Sequence, residues 1–220
     1  ANGFLTPDEF DQEFFFELGV GICTGCSMVQ LTQMVDPKKL FHESYAFYSS
    51  TSVGMANHFR RFAHQALEKI SENPDPFVVE IGSNDGIMLR NIAQAGFRHL
   101  GVEPSENVAQ VAVQAGVETR CCFFNQETAA EILRDRGPAD LILGANVVCH
   151  IPDLHTLFRG VDILLKEDGF FIFEEPYLGD IVERTSYDQF YDEHVYYFCH
   201  ASLSNIFDQY GMSIVDAEPQ

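Results

Sequence analysis

The stretch Phe77-Val78-Val79-Glu80-Ile81-Gly82-Ser83-Asn84-Asp85-Gly86-Ile87-Met88-Leu89 constrains this chain more than any other. An apolar run rich in β-branched residues stops at a glycine-containing turn, and helix-forming residues follow at once. About twenty residues on, a second apolar run ends in an acid, Leu100-Gly101-Val102-Glu103. A buried strand has no packing reason to finish in a carboxylate. This layout is that of a nucleotide-cofactor crevice at the carboxyl ends of parallel strands.

Around that unit, apolar runs and amphipathic segments alternate. Strands are predicted at 77–81, 98–103, 118–123, 139–145, 169–175 and 212–217, and helices at 86–95, 106–115, 126–136, 154–165 and 201–210. Such alternation predicts an α/β fold, a doubly wound, mostly parallel Rossmann-like sheet with helices on both faces. Residues 1–50 read as an N-terminal head: an acidic turn at Asp8–Glu13, an extended Phe14–Phe16, then two short apolar runs about Cys23-Thr24-Gly25-Cys26. Residues 51–76 form a linking helix, with Phe59, Phe62, Ala63, Ala66, Leu67 and Ile70 on one face, ended by Pro74 and Pro76. The sheet domain is 77–220. Pro176 to His200 is too long for an ordinary connection and carries Tyr, Asp, Glu and His rather than Gly and Ser, which marks it as functional.

Charge narrows the partners. Lys plus Arg number 13 against 33 Asp plus Glu, a formal net charge of −20. That field repels a phosphate backbone, and no basic stripe relieves it, so nucleic acid is not an expected partner. No apolar run reaches membrane-span length and no secretory pattern opens the chain, so the expected address is cytoplasmic with no membrane partner. Of six cysteines, Cys121, Cys122, Cys149 and Cys199 are expected reduced.

Glu80-Ile81-Gly82-Ser83-Asn84-Asp85-Gly86 resembles the first motif of class I S-adenosylmethionine methyltransferases, with Asn84 in place of the middle glycine. A nicotinamide dehydrogenase fits less well, because its pyrophosphate turn needs closer backbone approach than two glycines allow. The resemblance implies S-adenosylmethionine as cofactor, with Glu80, Gly82, Asn84, Asp85 and Gly86 in its turn. Glu103 would accept the ribose hydroxyls beside a Pro104-Ser105 turn. Phe123 would lie near the adenine, with Phe124 competing for that place and at least one of the two in the core. Asn146 would meet the amino-acid end.

A second resemblance is narrower and spans nearly the whole chain. Asp188-Gln189-Phe190-Tyr191-Asp192-Glu193-His194, Glu174-Glu175-Pro176-Tyr177, Leu40-Phe41-His42-Glu43-Ser44-Tyr45 and Tyr48-Ser49-Ser50 are similar to the nucleotide-sugar C-methyltransferases of deoxysugar biosynthesis, which branch TDP-linked keto-deoxysugars attached to antibiotics. It implies methylation at carbon 3 of a 4-keto-deoxysugar nucleotide through an enolate. A neutral imidazole, with an unperturbed pKa of ~6.5, suits removal of that proton. By resemblance His194 is the base. Tyr191 and Glu193 shape the enolate site or hold the sugar, Tyr45 closes it from the other side, and His150 orients the keto oxygen or the base. From the residues alone, His194 reads equally as a loop histidine paired with Glu193 or Asp192. Tyr187, Tyr196 and Tyr197 compete with Tyr191, and His150 could simply cap the next helix.

Cys23 and Cys26 have the spacing of a zinc knuckle, but tetrahedral structural zinc takes four ligands. The family carries a further Cys-x-x-Cys upstream, and a closing hairpin and a second α/β domain downstream. Against that pattern the chain looks truncated at both ends, which predicts an incomplete structural zinc site. Two other functions stay open: an O- or N-methyltransferase in which His194 deprotonates a hydroxyl, and a non-catalytic cofactor-binding fragment. Oligomeric state is not legible in the sequence.

Overall fold

A computed structural model describes residues 5–43 and 45–219; Ser44 lies outside them. Five parallel strands build the central sheet: β3 (Phe77–Ile81), β4 (Arg98–Val102), β5 (Thr119–Arg120), β6 (Ala139–Ala145) and β7 (Leu165–Glu174), in the order β5-β4-β3-β6-β7. The chain winds outward from β3 through β4 to β5, then returns to add β6 and β7 on β3's other side. The switch point, where ligands of open α/β sheets bind, therefore lies at the carboxyl ends of β3 and β6.

Strands buried on both faces carry apolar side chains at every position, alternating between two layers. Val78, Leu141 and Leu143 face a layer formed by α2 (Val53–Glu68), α3 (Leu89–Gln94) and part of α4 (Glu106–Gln114). Val79, Ile81 and Ile142 face α5 (Gln126–Arg136), α6 (Leu154–Leu164) and α8 (His200–Phe207), where Phe158 and Phe207 meet edge to face. The doubly wound α/β prediction is realised. The 51–76 helix buries Phe59, Phe62, Ala63 and Ala66 on the first layer, so it is packed into the sheet domain rather than strung between bodies.

Several boundaries differ from expectation. The predicted 118–123 strand pairs only at Thr119–Arg120, because only Gly101 and Val102 of β4 offer it partners. Helix α3 starts at Leu89, the turn from Gly82 taking up the residues before it. Strand β7 begins four residues early through an irregular register against β6. Residues 201–210 split into α8 and a 3-10 turn at Asp208–Tyr210. The 212–217 strand does not form. Met212 and Ile214 pack on the core at alternate positions, yet this stretch joins no ladder, and period-2 burial without a partner is extended coil.

A second, three-stranded antiparallel sheet joins the head to the long insertion. Strands β1 (Val20–Ile22) and β2 (Val29–Leu31) form a hairpin around the cysteine turn, and β8 (Tyr196–Tyr197) pairs with β2 in the register Val29↔Tyr197. Val29, Leu31, Tyr197 and Ile181 of α7 (Leu178–Arg184) make its core. No helix among the described residues is long and apolar enough to cross a membrane.

Candidate active site

The crevice begins where β3 ends. Gly82 has φ +66°, and a Cβ there would sit 2.5 Å from the Val147 side chain, so both backbone and space require glycine. Its N–H donates to the Val102 carbonyl at 2.8 Å, lashing the turn to β4. Gly86 (φ +77°) closes the turn against Val117 and Ala112, and Asn84 takes a left-handed φ of +48°. Glu103 stands just past β4, its two carboxylate oxygens accepting the N–H groups of Asn84 (2.9 Å) and Ser105 (2.8 Å). Burial raises its pKa, opposed by those N–H bonds. Glu80 lies inside β3, pushed well above the usual carboxylate range by burial.

Not every predicted residue opens onto this crevice. Asp85 is buried and spends Oδ2 on the backbone N–H (2.9 Å) and hydroxyl (2.6 Å) of Ser50. Phe124 is core, whereas Phe123 is 38% exposed and free to line the cofactor side. Pro104 leads into α4, and its carbonyl accepts a weak bond from Cys121 Sγ. Asn146 ends β6 with φ +51°, its N–H held by the Glu174 carbonyl at 2.8 Å.

A strap of residues 45–51 crosses the mouth. Phe47 carbonyl and Ser49 N–H both bond the Asn84 side chain, at 3.1 Å each, and Tyr45 exchanges two backbone bonds with the Asn107 side chain. Aromatic rings run along it from Phe47 to Tyr45 to Phe41 and on to His150, with centroids 5.5–5.7 Å apart. The pKa of the Tyr45 hydroxyl is raised by burial and then by the Glu193 and Glu103 carboxylates.

On the far side of Tyr45, the insertion folds His194 inward. It is 5% exposed, not the surface histidine the residues alone allowed. Nδ1 lies 3.1 Å from the Gln189 carbonyl, which can only accept, so the proton is on Nδ1. Nε2 therefore carries the lone pair and accepts the Tyr191 hydroxyl at 2.7 Å. Burial pushes His194 down to about 4 and it is neutral near pH 7. His150 is 5.0 Å away ring to ring, pushed to about 3 by burial and by His194. Its Nδ1 is 3.9 Å from Glu193 Oε2, and burial and Asp192 push Glu193 up to about 7. Of the competing tyrosines, Tyr187 is exposed, Tyr196 bonds the Pro152 carbonyl, and Tyr197 is core.

Glu175 was not marked as a site residue, since one buried acid in a Glu-Glu-Pro-Tyr run looks like any other. It accepts the N–H groups of Val147 (2.9 Å) and Val148 (2.6 Å), fixing the turn that carries Asn146, Cys149 and His150. Burial raises it to about 7 against those bonds. Its neighbour Glu174 accepts His58 Nε2–H at 2.7 Å, tying α2 to the end of β7.

The residues fit a cationic nucleoside. Glu103 stands at the crevice where it can meet a ribose diol, and buried Glu80 keeps Oε2 unpartnered, so the acids here suit hydroxyl or ammonium donors better than a pyrophosphate. The zinc fit is partial. Cys23 and Cys26 share the hairpin turn, and hydrogen bonds from Cys26 lower the exposed Cys23 thiol. Among the described residues no third His, Cys, Asp or Glu joins them, so the described chain supplies two of four ligands.

Comparison with known proteins places the class first: the sheet is that of the S-adenosylmethionine-dependent methyltransferases. Magnesium protoporphyrin IX methyltransferase from Synechocystis PCC 6803, solved with bound SAH, superposes with a TM-score of 0.53 at 19% identity, covering 74% of this chain and 76% of that one. The family model described as "Methyltransferase domain" matches residues 55–217, and "Putative zinc binding domain" matches 1–41. The chain belongs to the methyltransferase domain family. C-methyltransferase NovU from Streptomyces niveus is 37% identical over 216 residues, 97% of this chain and 51% of that protein, so the chain spans about half its length. A ubiquinone biosynthesis O-methyltransferase from Ralstonia nicotianae is 30% identical over 98 residues, 44% of this chain and 41% of that one.

Proposed function

We propose that this chain catalyses methylation of carbon 3 of a TDP-linked 4-keto-deoxysugar. The observation that carries the reading is His194: an imidazole kept neutral by burial, its proton parked on the Gln189 carbonyl and its lone pair on a tyrosine hydroxyl. Substrate entering the pocket displaces the Tyr191 hydroxyl, and Nε2 takes the carbon-bound proton. The Gln189 carbonyl then holds the imidazolium through Nδ1–H. Glu193, pushed up to about 7, is protonated often enough near neutrality to donate to the forming enolate oxygen. His150 orients that acid, and Tyr45 closes the site against water. Glu103 binds the ribose hydroxyls, the Gly82–Gly86 turn and Asn146 hold the amino-acid end, and Phe123 covers the adenine. S-adenosylmethionine, when bound, supplies the electrophilic methyl. Cys23 and Cys26 would contribute half of a structural zinc site in the head. Similarity to a protein named as a C-methyltransferase supports carbon over oxygen as the acceptor.

Turnover of substrate carrying a hydrogen-isotope label at carbon 3 decides the acceptor. Carbon methylation puts a methyl where the carbon-3 proton was and releases that proton to solvent; methyl transfer that releases no carbon-3 label overturns the enolate route. It would favour the second reading, in which His194 deprotonates a hydroxyl; a relative similar over 98 residues is named as an O-methyltransferase.

A further inference from the structure

Cys149, next to the proposed base, has no part in the proposed reaction. Its thiol, one nitrogen of His150 and one nitrogen of His194 all lie within 4.8 Å of one another. We propose that these three residues form a site for a thiophilic divalent cation such as Zn²⁺, with Glu193 as fourth ligand, and that the loaded state is an inhibited one. The inhibition rests on the function proposed above; the binding does not.

Four observations converge on it. The donor set is one thiolate and two imidazoles, the soft and borderline ligands that select zinc over magnesium or calcium. In tetrahedral zinc sites donor atoms are roughly 3.3–3.6 Å apart, so closure asks for about 1 Å of movement. Tyr191, 36% exposed, can swing off His194 Nε2 to allow it. Second, His194 already has the outer arrangement of a metal-ligating histidine, its other N–H given to a backbone carbonyl. Third, two buried polar atoms of the cluster, His150 Nδ1 and Glu193 Oε1, have no hydrogen-bond partner. Fourth, the neighbouring charges are carboxylates. Glu193 Oε2 lies 3.9 Å from His150 Nδ1, a carboxylate placed to join and favour a cation there.

The bookkeeping of the step is simple. The cation replaces the Cys149 thiol proton, which leaves to solvent, and takes the His194 lone pair from the Tyr191 hydroxyl; no electron transfer is involved. Affinity therefore rises with pH. A cation on Nε2 occupies the position that would accept the substrate's proton.

The test uses Co²⁺ alone, added to the full chain carrying C23S and C26S so that the head thiols are silent. A thiolate-to-cobalt charge-transfer band with tetrahedral visible bands is expected. Adding C149S should abolish the charge-transfer band, and adding H150N instead should weaken Co²⁺ by more than about 100-fold, beyond what outer-shell changes alone produce. Should C149S fail to fold, as read by circular dichroism, H150N decides. No band in the C23S/C26S protein, a band surviving C149S, or an affinity unchanged by H150N overturns the proposal, and would assign any binding to Cys121, Cys122 or Cys199. Zn²⁺ should then inhibit methyl transfer in the C23S/C26S protein. Spectra as expected without turnover on any keto-sugar nucleotide would leave the metal site standing and sink the proposed reaction.

Discussion

At the scale of single residues, the molecule keeps an imidazole dry and neutral while leaving one of its nitrogens within reach. Tyr191 tests this. Tyr191→Phe removes the hydroxyl on Nε2 and nothing from the core, so stability should hold. Proton removal, read as deuterium exchange into substrate, should change far less than the ~10²–10⁴-fold loss expected for His194→Ala. Loss of exchange as complete in Tyr191→Phe as in His194→Ala would instead make Tyr191 the base. Glu175 is a positioning residue of a different kind. Glu175→Ala leaves two buried N–H groups without an acceptor, a cost of about 2–5 kcal/mol, visible in urea melts. Glu175→Gln retains an acceptor and should recover much of it.

At the scale of elements, His194 is held by pieces far apart in sequence. Leu31 N–H of β2 donates to the Val195 carbonyl at 2.8 Å, and Val195 N–H donates to the Cys149 carbonyl at 2.8 Å. The head strand thus grips the residue after His194, and the turn after β6 grips it from the other side. Leu31→Pro removes the first bond and should release the insertion. The expected result is loss of deuterium exchange with cofactor affinity, measured by calorimetry, retained within a few fold. Equal loss of both would mean that the head supports the whole sheet. At the other end of the strands, Asp140 accepts from Phe77 N–H, Asn73 and Lys166. Burial would raise its pKa, but these donors and the Lys166 charge outweigh it and hold it low. A carboxyl depressed in the folded state adds stability that is present above its unfolded pKa, ~3.9, and lost as pH falls through the folded value. Asp140→Asn should therefore be less stable than the parent at pH 7, and the gap should close on acidification below ~4.

At the scale of the whole chain, legibility tracked the range of the interaction. The crevice was readable because its parts are local: Gly82 needs a left-handed φ, Asn84 and Gly86 complete one turn, and Glu103 is separated from them by one helix and one strand. Core strands β3 and β6 were readable to the residue, since burial on both faces leaves a run that is apolar but for Glu80 in one and Asp140 in the other. The 212–217 segment shows the converse: alternation records which side is buried, and pairing needs a neighbour that the pattern cannot supply.

The reaction cluster was named from likeness rather than from any pattern in the residues. His150 and His194 are 44 positions apart, and long-range contacts such as the Cys149–Val195 and Tyr196–Pro152 bonds bring them together. Glu175, present only as part of a resemblance motif, and Cys149, present only as a reduced thiol, carried no role, because a buried acid and a buried thiol acquire meaning only from what faces them. Sequence alone determined the sheet, its winding and the acid-walled notch, since those follow from short-range periodicity and backbone stereochemistry. Tertiary structure decided the protonation, tautomer and company of the imidazole, because desolvation and hydrogen-bond geometry are properties of a packed interior.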